Sequence, residues 1–211
     1  MSDEWLLFTK FCRQGPRIGS LIPSSRWVAR EMLKRIDFSN ARCIVELGAG
    51  TGPVTAELLQ HAGAKCKTVI VERDPDLCTR LRERFPDADV AEADALDLDW
   101  ILNSRDIESV DHIVCGLTLA WFSHQDQHTI LDTSRRRLKP LGSFRQVTYM
   151  PRIHMPLYRR YFQHVESNFV LRNVPPASVY ACSQPFRDQA EASAEHEYSD
   201  CSEESAISGQ A

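Results

Sequence analysis

The chain has 211 residues, 43% hydrophobic and 26% charged, which is enough to bury one substantial core and too little for two ordinary domains. It contains no run of about 18 apolar residues that would span a membrane as a helix, and its start, Ser2, Asp3 and Glu4, lacks the basic-then-apolar pattern of an export signal. The net charge of -4 is unevenly placed: residues 1–42 carry eight bases against four acids, and residues 187–211 carry one base against seven acids.

A basic head on a nearly neutral body can seek phosphate, in lipid headgroups or in nucleic acid. Cys12, Cys43, Cys66, Cys78, Cys115, Cys182 and Cys201 are scattered without a CxxC pair or a dense secreted-style framework. That spacing predicts a reducing, cytoplasmic setting in which most of them act as small core residues.

Trp5, Phe8, Phe11 and Cys12 fall at helical spacing beside Lys10, Arg13 and Arg17, a pattern that suits either a helix on a membrane surface or one packed over the domain. A second helix is predicted over about Ser25–Ile36, capped by Ser24 or Ser25 and carrying Trp27, Met32, Leu33 and Ile36. From Asn40 onward, short apolar runs alternate with helical patterns, the mark of a parallel α/β sheet. Strands are predicted at Cys43–Leu47, Thr68–Glu72, Ala88–Ala91, His112–Cys115, Ser143–Tyr149, Ser167–Arg172 and Ala177–Cys182. Helices are predicted at Pro53–Ala62, Pro75–Phe85, Asp99–Ser104 and His124–Leu138. Asn173-Val174-Pro175-Pro176 is too short for a crossover helix, so the last two strands should form an antiparallel hairpin at the sheet edge. Three segments result: a helical, membrane-contacting extension (1–39), an α/β domain (40–186) and an acidic tail (187–211) too poor in large apolar residues to order itself.

The first predicted strand runs into Glu46-Leu47-Gly48-Ala49-Gly50-Thr51-Gly52 and then a helix. Glycines there allow a tight turn and a close approach of the backbone to a bound nucleoside. Glu72 ends the second strand about 20 residues later, where a carboxylate can accept from ribose hydroxyls. Asp94 follows the third strand, and Leu138-Lys139-Pro140-Leu141-Gly142 precedes the fifth. The ExGxGxG spacing departs from the GxGxxG of dinucleotide binders.

These four elements, in this order, resemble the class I S-adenosylmethionine-dependent methyltransferases. The resemblance implies a Rossmann-like seven-stranded, mostly parallel sheet with an antiparallel C-terminal hairpin, and S-adenosylmethionine as cofactor. It implies a cofactor site drawn from Glu46, Gly48, Ala49, Gly50, Gly52, Glu72, Arg73, Asp94, Ala95 and Cys115. In that family the glycine loop holds the methionine end, the acid after strand two the ribose, and the acid after strand three the adenine amino group. Leu141 stands where the family's turn has a glycine.

The flanking sequence is similar to bacterial phospholipid N-methyltransferases in the lead-in from Gly15-Pro16 to Pro23-Ser24-Ser25, in Cys115-Gly116-Leu117-Thr118-Leu119, in Arg145-Gln146-Val147-Thr148-Tyr149, and from Asn173 to Tyr180. This implies transfer of methyl groups to the amine of phosphatidylethanolamine at an anionic membrane surface, by a protein peripheral to the cytoplasmic face. The alternatives are an RNA adenine methyltransferase, given a more distant similarity to rRNA adenine dimethylases, and a non-catalytic methyltransferase-like binding module. Adenine modification in that group uses an Asn/Asp-Pro-Pro/Leu-Tyr/Phe type motif after strand four. Cys115-Gly116-Leu117-Thr118 has neither its polar acceptor nor its stacking ring, so nucleic acid is not the expected partner.

Candidate acceptor-side residues are Tyr149, Tyr180 and Thr118. Aromatic faces hold methylated ammonium groups, although each tyrosine is equally well explained as a core ring with a bonded hydroxyl. Arg17, Arg26, Arg145, Arg159 and Arg160 are available to a phosphodiester. His124 and His128 have no third ligand in view and read as a solvated helix face, so no metal is expected.

Overall fold

The computed structural model describes residues 25–173 and 175–186. The first predicted helix with Arg17 and Ser24, the acidic tail, and Val174 lie outside the described residues.

Helix α1 (Arg26–Leu33) opens the described chain, with the Ser25 hydroxyl accepting from the Val28 N–H at its N-cap. Its Val28, Ala29 and Met32 are fully buried against β1 (Cys43–Leu47) and its neighbours, so α1 is part of the domain core. The glycine loop leads into α2 (Pro53–His61), where proline occupies the first turn, whose N–H groups need no intrahelical partner. Then come β2 (Lys67–Glu72) and α3 (Pro75–Arg84), capped by Asp74, whose carboxylate accepts from the Asp76 and Leu77 N–H groups. Strand β3 (Asp89–Glu92), a 3-10 turn, α4 (Leu98–Asn103) and β4 (Val110–Cys115) follow. After a second 3-10 turn come α5 (His124–Arg137), β5 (Leu138–Thr148), α6 (Pro151–Arg159), β6 (Phe162–Val170) and β7 (Ala177–Pro185).

The seven strands run in the order β3-β2-β1-β4-β5-β7-β6. Strands β1 to β5 pair in parallel, and β7 pairs antiparallel with both β5 and β6. Parallel sheets need cover on both faces, and two apolar clusters provide it. One joins α4, α5 and α6 to the sheet through Leu98, Ile101, Ile130, Leu131 and Tyr158. The other joins α1 and α2 through Met32, Leu33, Val54 and Leu58. Strand order reverses between β1 and β4, so a crevice opens at their C-terminal ends, where ligands bind in open α/β sheets.

All seven predicted strands are present, β1 with the predicted ends and the other six with different ones. Strand β5 starts at Leu138 instead of Ser143, because its first residues pair with Val110 across a register shift. Strand β6 starts at Phe162 instead of Ser167 and carries the exposed polar residues Gln163, His164 and Glu166 expected of an edge strand. Helix α6 had no counterpart in the sequence reading: Pro151 sits at its start and Pro156 inside it, and proline usually signals a helix boundary.

Candidate active site

The loop after β1 turns on three left-handed residues, Gly48 (φ 73°), Gly50 (φ 60°) and Gly52 (φ 84°). A Cβ on Gly48 would lie 2.3 Å from Leu117 Cδ2, and one on Gly52 would lie 2.9 Å from Leu81 and Phe85, so side chains from β4's loop and α3 close tightly on the turn. The position beside Gly50 faces open space, leaving room for the methionine end of a cofactor. The Gly48 and Ala49 N–H groups donate to the Val71 carbonyl, which fixes the loop to β2.

Glu72 ties this turn to the next. Its Oε2 accepts from the Gly50 N–H at 2.8 Å, and its Oε1 accepts from the Arg73 and Asp74 N–H groups, each at 2.9 Å. Arg73 in turn donates to Asp94 Oδ2 at 3.1 Å, while Asp94 Oδ1 accepts from the Leu96 N–H. The carboxylates assigned to ribose and adenine therefore flank a single arginine, beside a short turn that begins at the buried Ala95.

Glu46 lies beneath the glycine turn, almost wholly buried, and accepts from the Thr55 hydroxyl at 2.7 Å. Burial raises its carboxyl to about 8, with the Thr55 hydrogen bond opposing and the negative charge of Glu72 adding to the rise. Cys115, at the end of β4, turns its thiol into the core, where burial pushes it up to about 12. It is a neutral, inert thiol, and only its backbone borders the crevice.

The acceptor-side candidates do not converge. Tyr180 is fully buried under α6, its hydroxyl donates to the Pro151 carbonyl, and its ring lies 4.7 Å from that of Tyr158. It is a core aromatic with its polar end used. Tyr149 packs against the opposite face of the sheet, with the cluster that holds α1. Arg145 is also on the α1 side, among Glu31, Arg35 and Glu166, and burial draws its pKa down, so it is not an exposed phosphate ligand. Thr118 is buried beside the crevice, and its hydroxyl has no partner. His128 uses a ring nitrogen on the Tyr161 hydroxyl. Arg135, Arg136 and Arg137 bond to Asp132, Asp99 and Asn103, a structural cluster instead of a nucleic-acid patch.

Gln146, which the sequence did not single out, reaches the loop after β4. It pairs with Cys115 across β4 and β5, and its side chain donates to the Leu117 carbonyl. With Ser143, Arg145 and Thr148 in the same strand, an amide there stands out in no local pattern, so the sequence offered no signal for it.

Fold, glycine turn and paired carboxylates define a class I S-adenosylmethionine-dependent methyltransferase. Residues 44–142 match a family model described as a methyltransferase domain. The chain is 42% identical over 185 residues to the ornithine lipid N-methyltransferase of Singulisphaera acidiphila, covering 86% of this chain and 96% of that protein. The chain belongs to this family of S-adenosylmethionine-dependent N-methyltransferases. Its fold is also similar to that of the N-methyltransferase NodS from Bradyrhizobium japonicum, with TM-score 0.60 at 16% identity, covering 75% of this chain and 94% of that one. TrmN from Thermus thermophilus gives TM-score 0.60 at 16% identity, covering 82% of this chain and 52% of that one.

Proposed function

We propose that the protein transfers methyl groups from S-adenosylmethionine to the amine of a membrane lipid headgroup, the ornithine-lipid amine or that of phosphatidylethanolamine. The observation that carries this reading is the 42% identity to a lipid N-methyltransferase over nearly its whole length. The cofactor supplies a sulfonium-bound methyl. The amine lone pair forms the new nitrogen–carbon bond as the carbon–sulfur bond breaks, and the resulting ammonium loses a proton to solvent. Only a neutral amine has that lone pair, so the chain's task is to hold the nitrogen uncharged, in line and away from water.

The surface around the crevice suits a lipid interface. No described helix is long and apolar enough to cross a membrane. At the C-terminal rim of the sheet, Phe169 near the end of β6, Leu171 of the β6–β7 turn and Ile153 of α6 are 63%, 74% and 69% exposed. Arg172 and Arg26 lie over the Trp27 ring at 4.6 and 5.0 Å, and the Asn173 side chain accepts from the Ser25 N–H, which brings the start of α1 to the same rim. Apolar tips beside cations match an anionic bilayer surface. A Phe169→Ser, Leu171→Ser double variant is expected to bind anionic vesicles at least about tenfold more weakly while keeping its melting temperature, because both side chains are already in water in the free protein. Unchanged vesicle binding would remove this rim from the reading.

The acceptor is tested with methyl-labelled S-adenosylmethionine and vesicles containing either aminolipid, with RNA alongside. Label in one lipid names the acceptor. Cofactor binding without lipid label refutes the proposal, and label in RNA points to the adenine alternative.

A further inference from the structure

An enzyme that methylates a primary amine can orient it by accepting hydrogen bonds from its N–H groups, yet the side chains of the loop after β4, Gly116-Leu117-Thr118, include no amide or carboxylate. The fold brings an amide to the back of that loop from β5. Gln146 is fully buried. Its Nε2 donates to the Leu117 carbonyl and, at 2.8 Å, to the Val147 carbonyl. Two carbonyl oxygens can only accept, so they fix which end of the amide faces them, and the amide oxygen must point the other way. That oxygen has no donor, and neither has the hydroxyl of Thr118, the residue after Leu117. Leaving a buried acceptor without a donor is unfavourable, so two of them on adjoining positions mark a place where donors arrive with a ligand.

The location is also right. The Gly116 N–H donates to the Leu47 carbonyl at 2.8 Å, and the Leu117 side chain fills the space beside Gly48. The loop that Gln146 holds is thus clamped to the turn that bears the cofactor.

We propose that Gln146 Oε1 and Thr118 Oγ1 are the acceptors for the N–H groups of the substrate amine, aligning its lone pair with the methyl. This rests on the reading of the protein as a lipid-amine methyltransferase. Positive charge develops on nitrogen as the new bond forms, so both hydrogen bonds strengthen in the transition state and act on kcat more than on KM. A primary amine engages both acceptors, a secondary amine one, and a tertiary amine none. The first methyl is therefore added fastest and the third slowest.

The experiment compares wild type, Thr118→Val, Thr118→Ser and Gln146→Met on vesicles bearing the primary, monomethyl and dimethyl amine headgroups, with cofactor affinity and melting temperature measured for each. Thr118→Val removes a hydroxyl that bonds to nothing in the free protein, so a purely structural role predicts no loss of stability or of activity. The proposal predicts kcat lower by about tenfold to hundredfold on the primary amine, recovery in Thr118→Ser, and turnover of the dimethyl headgroup within about threefold of wild type. Gln146→Met is expected to show the same ordering across the three headgroups, on top of any loss of stability. Equal losses on all three headgroups, or none, would overturn the assignment of these residues. Failure of the wild type to label any headgroup would overturn the lipid-amine reading and this inference together.

Discussion

Glu72→Gln is expected to weaken binding of S-adenosylmethionine by about a hundredfold or more, although it changes one atom. In the structure both carboxylate oxygens accept from backbone: Oε2 from Gly50, Oε1 from Arg73 and Asp74. An amide has one accepting end. If its oxygen stays on Gly50, its NH2 group confronts the Arg73 and Asp74 N–H groups; the reverse orientation sets donor against donor at Gly50. Either way the glycine turn separates from the β2–α3 turn, and the carboxylate proposed to hold the ribose loses its charge. Each lost charge-assisted bond is worth about 1.5–3 kcal/mol. Calorimetric titration with the cofactor checks this, with a thermal melt to separate loss of the site from loss of the fold. Affinity within about twofold of wild type would mean that Glu72 only staples two loops and does not touch the ligand.

The same geometry explains which parts of the site could be read from sequence. A carboxylate at a strand end and glycines at a turn have local causes: Gly48 and Gly52 are needed because φ is positive and a neighbour is too close for a Cβ. Such demands leave a mark at fixed spacing. The caps were legible for the same reason, Ser25 and Asp74 each bonding within their own first turn. What failed was non-local. Tyr149 just past β5 and Tyr180 within β7 look alike in sequence, yet packing assigns them to opposite faces of the sheet and uses the Tyr180 hydroxyl on Pro151. Gln146 acquires a role only because β5 lies beside β4, 29 residues from the carbonyl it holds. Helix α6 was hidden by Pro151 and Pro156, which break the pattern that marks a helix while the packing of Tyr158 on Phe144 and Tyr180 holds the segment against the sheet.

Glu46→Gln should raise stability while blunting the response of cofactor affinity to pH. The carboxyl is buried and holds its proton in the folded protein up to about pH 8, against an ordinary value of 4.5. An unfolded chain gives up that proton above about pH 4.5, so between the two values the unfolded state binds fewer protons and stability falls as pH rises. The penalty is absent below pH 4.5 and complete above pH 8, where it reaches on the order of 5 kcal/mol. Glutamine cannot ionise and can still accept from Thr55, so the variant should melt higher than wild type by on the order of 10 °C at pH 8, with the difference shrinking to nothing at pH 4.5. Affinity should move the other way. A cationic ligand above the turn favours the ionised carboxylate, so wild-type binding should tighten from pH 6 to pH 8 with release of a proton, detectable as a dependence of the binding enthalpy on the buffer. In the variant that dependence should vanish and the affinity at pH 8 should be lower. Stabilisation without any change in the affinity profile would make Glu46 a buried structural acid with no electrostatic reach into the site. Both changes together would mean that the fold accepts a stability loss at working pH in order to keep a negative charge available beneath a cation.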